Sequence, residues 1–168
     1  MNTNIDKSHK QGLEIQNLFQ VNPKLSTSVN YAYTDAIIDK EADDSSMNGK
    51  TNPMTSKHNI SASAIYSLSD NTSITLTQKY RSSAFSEEDY TNTLIHKQMA
   101  YNSTDFNFSY KPNDDLEFNF DIENLFDNSY GTVLDDDALD SYYPGTNLGT
   151  IYPGNFTRNI KASLTYKF

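Results

Sequence analysis

The sequence predicts an all-β fold, an antiparallel transmembrane β-barrel portion of about seven strands, and three observations predict it. The first is side-chain parity. In NFTRNIKASLTYKF, Phe156, Ile160, Ala162, Leu164, Tyr166 and Phe168 share one parity, and Thr157, Asn159, Lys161, Ser163, Thr165 and Lys167 the other. Successive strand side chains point to opposite faces, so this ribbon has one oily and one polar side. The second is connection length: short turns at Val21–Lys24, Ser69–Thr72 and Lys111–Asp115 alternate with long loops at Asp35–Lys57, Ala84–Gln98 and Asp127–Gly154. Strict short/long alternation belongs to outer-membrane barrels. The third is a chain that ends on an aromatic residue, Phe168, directly after a strand.

Composition supports the same class. Twelve Tyr and nine Phe sit in a chain with only 36% hydrophobic residues and a mean hydropathy of -0.70. Disordered chains are poor in aromatics, whereas a sheet with an aromatic lipid face and a polar inner face has this balance. No apolar run approaches the ~18 residues of a spanning helix, while a spanning strand needs only about 9–11. The absence of cysteine excludes disulfides and thiolate metal sites. A net charge of -9 without a basic patch argues against nucleic acid as a partner.

Taken in order, residues 1–11 form a polar lead-in without the apolar core of a secretory signal. From Gly12, Leu13, Ile15, Phe19 and Val21 share a face, with Asn17 and Leu18 as exceptions to the alternation. After the VNPK turn, Leu25, Thr27, Val29, Tyr31 and Tyr33 oppose Ser26, Ser28, Asn30, Ala32 and Thr34. Ala36 to Ala42 could make a short helical turn inside the first long loop but lacks the length for a stable one. NISASAIYSL and SITLTQKYRSS follow, the second broken on its apolar side by Gln78. NSTDFNFSY and LEFNFDIE complete the set before the third long loop and the last strand. More than half of the 22 acidic residues lie in the three long loops. Tyr66, Tyr110 and Phe118 fall at the short-turn end, and Tyr31, Tyr33 and Tyr80 at the long-loop end, which makes two aromatic girdles. Arg158 has lipid-facing parity near the long-loop end, where a cation costs roughly 0–1 kcal/mol against ~2–4 at the midplane, and where lipid phosphate is within reach.

GLEIQ, KHNISASAIYSL, DIENLFDNSYG and YPGNFTRNIKASLTYKF together resemble the carboxy-terminal barrel portion of TonB-dependent outer-membrane receptors. The most specific piece is Asn124, Leu125, Phe126 and Asp127 with Tyr130; the pattern departs at Asn155, where the family usually has Arg. The resemblance implies that residues 12–168 are part of a twenty-two-stranded barrel, about its last seven strands, with a plug domain and signal peptide lying elsewhere. It implies uptake of a scarce nutrient, most often a ferric siderophore, in the outer membrane of a Gram-negative cell. The long loops would be extracellular and the carboxy terminus periplasmic. The implied partners are outer-membrane lipid and lipopolysaccharide, a small-molecule ligand, TonB through the amino-terminal part, and the barrel-assembly machinery, for which Phe168 looks like the assembly signal.

Each candidate site has a plainer alternative. Asp135, Asp136 and Asp137, with Asp140, could hold calcium, but without EF-hand-like spacing a solvated loop is the better reading. Tyr142 and Tyr143, ahead of Pro144-Gly145, present aromatic surface to a ligand or pack on their own loop. His9, His58 and His96 are scattered, and no haem or zinc ligation is expected from them. No cofactor is expected, and no nucleophile–base arrangement, phosphate-cradling loop or catalytic carboxylate pair points to an enzyme. Two other classes compete. A stand-alone structural or adhesive barrel would need an eighth strand that residues 1–11 do not supply. A soluble carbohydrate-binding β-sandwich leaves the loop alternation and Phe168 unexplained.

Overall fold

A computed structural model describes residues 5–87, 89–93, 97–128 and 157–168, together with the backbone of 131–133 and 151–153. Its strands are β1 (Lys7–Asn22), β2 (Leu25–Lys40), β3 (His58–Ser69), β4 (Thr72–Arg81), β5 (Ala84–Phe85), β6 (Lys97–Gln98), β7 (Tyr101–Tyr110), β8 (Leu116–Glu123), β9 (Gly131–Val133), β10 (Ile151–Pro153) and β11 (Asn159–Tyr166). Seven of them form one sheet in the order β1-β2-β3-β4-β7-β8-β11, each antiparallel to its neighbours. The short pieces β5–β6 and β9–β10 form two small ribbons within the long loops.

The register explains why parity was legible. Directly opposed residues share a face of an antiparallel pair. Ile15 pairs with Tyr31, Tyr31 with Ile60, and Ile60 with Tyr80. Further along, Leu76 pairs with Phe106, Phe106 with Ile122, and Ile122 with Ile160. The oily sides of all seven strands therefore fuse into one apolar face, and a one-residue slip anywhere would turn a strand's whole set over. Many of its large side chains, Leu13, Phe19, Leu76, Leu164 and Tyr166 among them, are exposed. An apolar patch this extensive signals contact with something apolar. Gln78, the exposed blemish in β4, is met by the half-buried Thr104, whose hydroxyl donates to Oε1 at 2.6 Å.

Two boundaries differ from the sequence reading. β1 begins at Lys7 rather than Gly12, so residues 7–11 of the polar lead-in are strand. β2 runs on to Lys40, so residues 36–40, most of the segment too short for a stable helical turn, are strand. Both follow from pairing, because β1 and β2 extend one another as a single hairpin, Gln11 opposite Asp35 and His9 opposite Ile37. Backbone partners on the other edge, Lys50 O for Ile38 N and Lys57 O for Thr34 N, complete the extension. A local turn offers less than two ladders of hydrogen bonds. Gly12 permits the hairpin's close approach: a Cβ there would sit 2.2 Å from Tyr33 O.

Beyond the sheet the first two long loops lock together. Thr51 N donates to Asn92 Oδ1 at 2.7 Å, and Asn92 Nδ2 returns a bond to Thr51 O at 2.9 Å. Met54 N donates to Phe85 O at 3.0 Å. Ala36, Ile38 and Ala84 are the buried apolar residues of this layer.

Candidate functional site

The polar face carries a cavity of about 340 Å³, and the register shows how it is made. Two adjacent rows of side chains run across five strands. One row is Gln16, Asn30, Ser61, Lys79 and Ser103; the next is Glu14, Ala32, Asn59, Arg81 and Tyr101. All but Ser103 line the cavity. Small residues in the middle strands leave the hollow, and long charged ones at either side wall it. Lys79 and Arg81 stand two residues apart on β4 and so on one face.

Both cations are held from outside the hollow. Lys79 Nζ meets Asp105 Oδ2 at 2.6 Å. Arg81 Nε donates to Ser56 Oγ at 2.8 Å and its Nη2 to Met54 O at 3.4 Å, so the first long loop anchors it. Positioned guanidinium and ammonium groups beside amide and hydroxyl donors suit an anionic, oxygen-rich molecule. Lys79 and Arg81 have the parity opposite to Ile74, Leu76 and Tyr80 in SITLTQKYRSS, and the sequence reading did not single them out. The available signal was the pair of cations at i and i+2 in one strand.

The Asn-Leu-Phe-Asp segment is a structural corner. Asn124 and Asp127 both have φ of 53°, a left-handed conformation that Asn and Asp tolerate better than most residues. Asn124 is buried, and its amide brackets Asn128: Nδ2 donates to Asn128 O and Oδ1 accepts from Asn128 N, each at 3.0 Å. Asn124 N donates to Asp105 Oδ1 at 3.0 Å, Leu125 N to Thr104 O at 2.7 Å, and Arg158 N to Asp127 Oδ1 at 2.8 Å. The corner thus ties β7, β8 and the start of β11. Asp105 connects it to Lys79 and hence to the cavity. Phe126 is exposed.

Arg158, read from sequence as a lipid-phosphate candidate, lies with Nη2 3.9 Å from Asp127 Oδ2. Phe168 is fully exposed, its ring edge-on to Tyr166 with centroids 5.4 Å apart. His9 pairs with Asp39 at 2.6 Å and His58 with the Tyr31 hydroxyl at 3.0 Å, so the two do not converge. Asp135, Asp136, Asp137, Asp140, Tyr142 and Tyr143 lie outside the described residues, as do Tyr130, His96 and Asn155.

On the extension of β2 beyond Tyr33, Lys57 Nζ binds Asp35 Oδ1 at 2.9 Å. The hydrogen bond from Lys57 holds the Asp35 carboxyl below its ordinary value, and the same bond raises Lys57.

Comparison with known proteins agrees with this architecture. Residues 1–125 match the family model described as TonB dependent receptor-like, beta-barrel. No curated protein sequence matches the chain. Among solved structures, the closed form of the ferric-catecholate import receptor Fiu from E. coli K12 superposes with a TM-score of 0.70 at 20% identity, over 99% of this chain and 23% of its own. The unliganded ferric citrate transporter FecA gives 0.76 at 22% identity, over 96% and 24%. The copper transporter OprC gives 0.69 at 14% identity, over 96% and 24%. The chain spans about a quarter of the length of each of these structures. At such identities the superpositions speak for the fold, and the family model speaks for kinship. With one apolar face, one polar face and a sheet matching a quarter of a large barrel, the chain belongs to the TonB-dependent receptor β-barrel family.

Proposed function

We propose that residues 12–168, with the strand extension from Lys7, form part of the wall of an outer-membrane receptor. This receptor takes up a scarce nutrient, a ferric siderophore, in a TonB-dependent way. The family is one of transporters and not of enzymes. The observation that carries the reading is the two-faced sheet: a continuous apolar surface outside, and a polar wall inside that is hollowed beside Lys79 and Arg81. A sheet with β1 and β11 as edges is not viable in lipid until both edges are paired. Further strands therefore close the barrel.

In this reading the long loops face the exterior and Phe168 sits at the periplasmic rim, where the barrel-assembly machinery reads it. TonB acts through another segment of the protein. Asp135, Asp136, Asp137, Tyr142 and Tyr143 of the acidic third loop stay candidates for contacting the ligand. The cation pair supports an anionic chelate, and Fiu and FecA are receptors for ferric catecholate and ferric citrate by name. OprC, with a comparable superposition, is a copper transporter, so substrate has to be tested directly. Fluorescence titration of the full-length protein with ferric catecholate, ferric citrate and copper separates them. We expect saturable binding of one ferric chelate, weakened about ten-fold or more in a Lys79→Gln/Arg81→Gln variant, on the scale of losing hydrogen bonds to charged groups. Saturation by copper alone would rule the siderophore assignment out.

A further inference from the structure

A second hollow lies on the opposite side of the wall from the first. It has a volume of about 160 Å³ and is lined by Thr51, Thr55, Lys57, Ser83, Phe85 and Lys97, with Ala84 at its floor between Ser83 and Phe85. Four observations place it on the outward flank of the sheet's extension. Thr51 is bridged directly opposite Ile37, and Lys57 is paired with Asp35. Ile37 and Asp35 share the parity of Tyr33, on the apolar face. Lys97 is directly opposite Phe85 with Nζ 4.2 Å from its ring centroid. Their neighbour Gln98, which does not line the hollow, is buried, and Ser56, between Thr55 and Lys57, is buried and bonded to Arg81 on the polar face.

The height of the hollow is equally defined. Lys57 is followed by His58, whose ring stacks against Tyr31 and lies 5.5 Å from Tyr33. That aromatic group marks one edge of the apolar belt, the level at which such rings meet lipid headgroups. The hollow sits just beyond it. Two ammonium groups, one balanced by Asp35, and three hydroxyl side chains make it a donor-rich, net cationic seat. An uptake substrate travels on the other side of the wall, so it is not the occupant this flank would meet.

We propose that this hollow binds a phosphate group on the headgroup of an outer-leaflet lipid. The acyl chains of that lipid lie along the apolar face below. The proposal rests on the outer-membrane reading given above. Tethering favours a lipid over a soluble ion, because the chains gain contact with the exposed wall while the lysines and hydroxyls hold the phosphate.

The test is native mass spectrometry of the full-length protein, purified in phosphate-free detergent, with bis-phosphorylated lipid A as probe. Its dephosphorylated counterpart and inorganic phosphate are the two comparators. We expect the dephosphorylated lipid to bind about ten-fold more weakly, and Lys97→Gln to weaken the phosphorylated lipid about five-fold. Adding Lys57→Gln should weaken it about five-fold again. The Lys97→Gln variant leaves the Asp35 pair intact, so it keeps the test informative should the double variant misfold. Equal binding of both lipids would overturn the site while leaving the membrane reading in place. Unchanged binding in Lys97→Gln would overturn it as well. Displacement by millimolar inorganic phosphate would assign the hollow to a soluble anion and overturn the lipid proposal. Failure of either lipid to bind would count against the outer-membrane reading itself.

Discussion

The two faces of the sheet are held by different physics. The apolar face has few specific bonds: large side chains repeat at every second position, and any one can be exchanged for another of similar character. The polar face is a network of named pairs, in which Lys79 meets Asp105, Asn107 Nδ2 donates to Asp121 Oδ1 at 2.8 Å, and Lys161 meets Glu123 at 2.8 Å. One face asks for a kind of residue and the other for a particular partner. A mutation on the first is felt by its polarity, and one on the second by what it leaves unpaired.

The sharpest way to break this contrast is to place the same charge on each side of β4. Leu76→Arg, mid-strand on the apolar face, should cost about 2–4 kcal/mol in lipid. Thr77→Arg, its neighbour on the polar face, should cost less, about 1 kcal/mol for the hydroxyl bond to Ser63 that it gives up. Urea titration of the refolded barrel in lipid vesicles measures both, and equal costs would mean that the faces are assigned wrongly. Next in size is Gly12→Ala, whose new methyl would meet the Tyr33 carbonyl at 2.2 Å. Overpacking of this kind costs about 1–3 kcal/mol, and it should appear as faster hydrogen exchange confined to the β1–β2 hairpin.

Asn124 tests the polar side at a corner instead of mid-wall. Asn124→Ala loses both amide bonds to Asn128 and strains the backbone at φ 53°, for a cost of roughly 1–3 kcal/mol. Asn124→Gly keeps the conformation and loses only the bonds, so it should fall between wild type and Ala. A Gly variant as unstable as Ala would show that the conformation contributes little.

The smallest effect is a pH dependence at Asp35 and Lys57. The hydrogen bond from Lys57 lowers Asp35 from 3.8, so its contribution is present above that value and is lost as pH falls through the lower folded one. Lys57 is raised from 10.5 by the same bond, so its contribution is complete below that value and is lost as pH rises through the higher folded one. Lys57→Gln should flatten both limbs, and local hydrogen exchange at the Thr34 amide reads it. Between the limbs the pair should show no pH dependence.

The sequence by itself determined the seven strands of the main sheet, their two faces and the strand ends at which Tyr80 and Tyr110 fall. All of these depend on a period of two, which each strand carries locally and which the ladder then preserves from Leu13 to Leu164. The segment at Asn124 was legible only as a motif resembling the family's, and its left-handed corner came from the structure. Only the tertiary structure decided the rest. The cavity exists because separate strands bring Glu14, Asn30, Ser61, Lys79 and Arg81 into adjacent rows, and inter-strand register is set by pairing that no single segment encodes. The extension of β1 and β2 past Gly12 and Thr34 likewise waits on a partner. Lys7 to Gln11 and Ala36 to Lys40 have no strong strand pattern alone, and their backbone groups are satisfied once they lie side by side. The outward hollow depends on two loops meeting at Thr51 and Asn92, a contact between residues far apart in the chain that only folding brings within bonding distance.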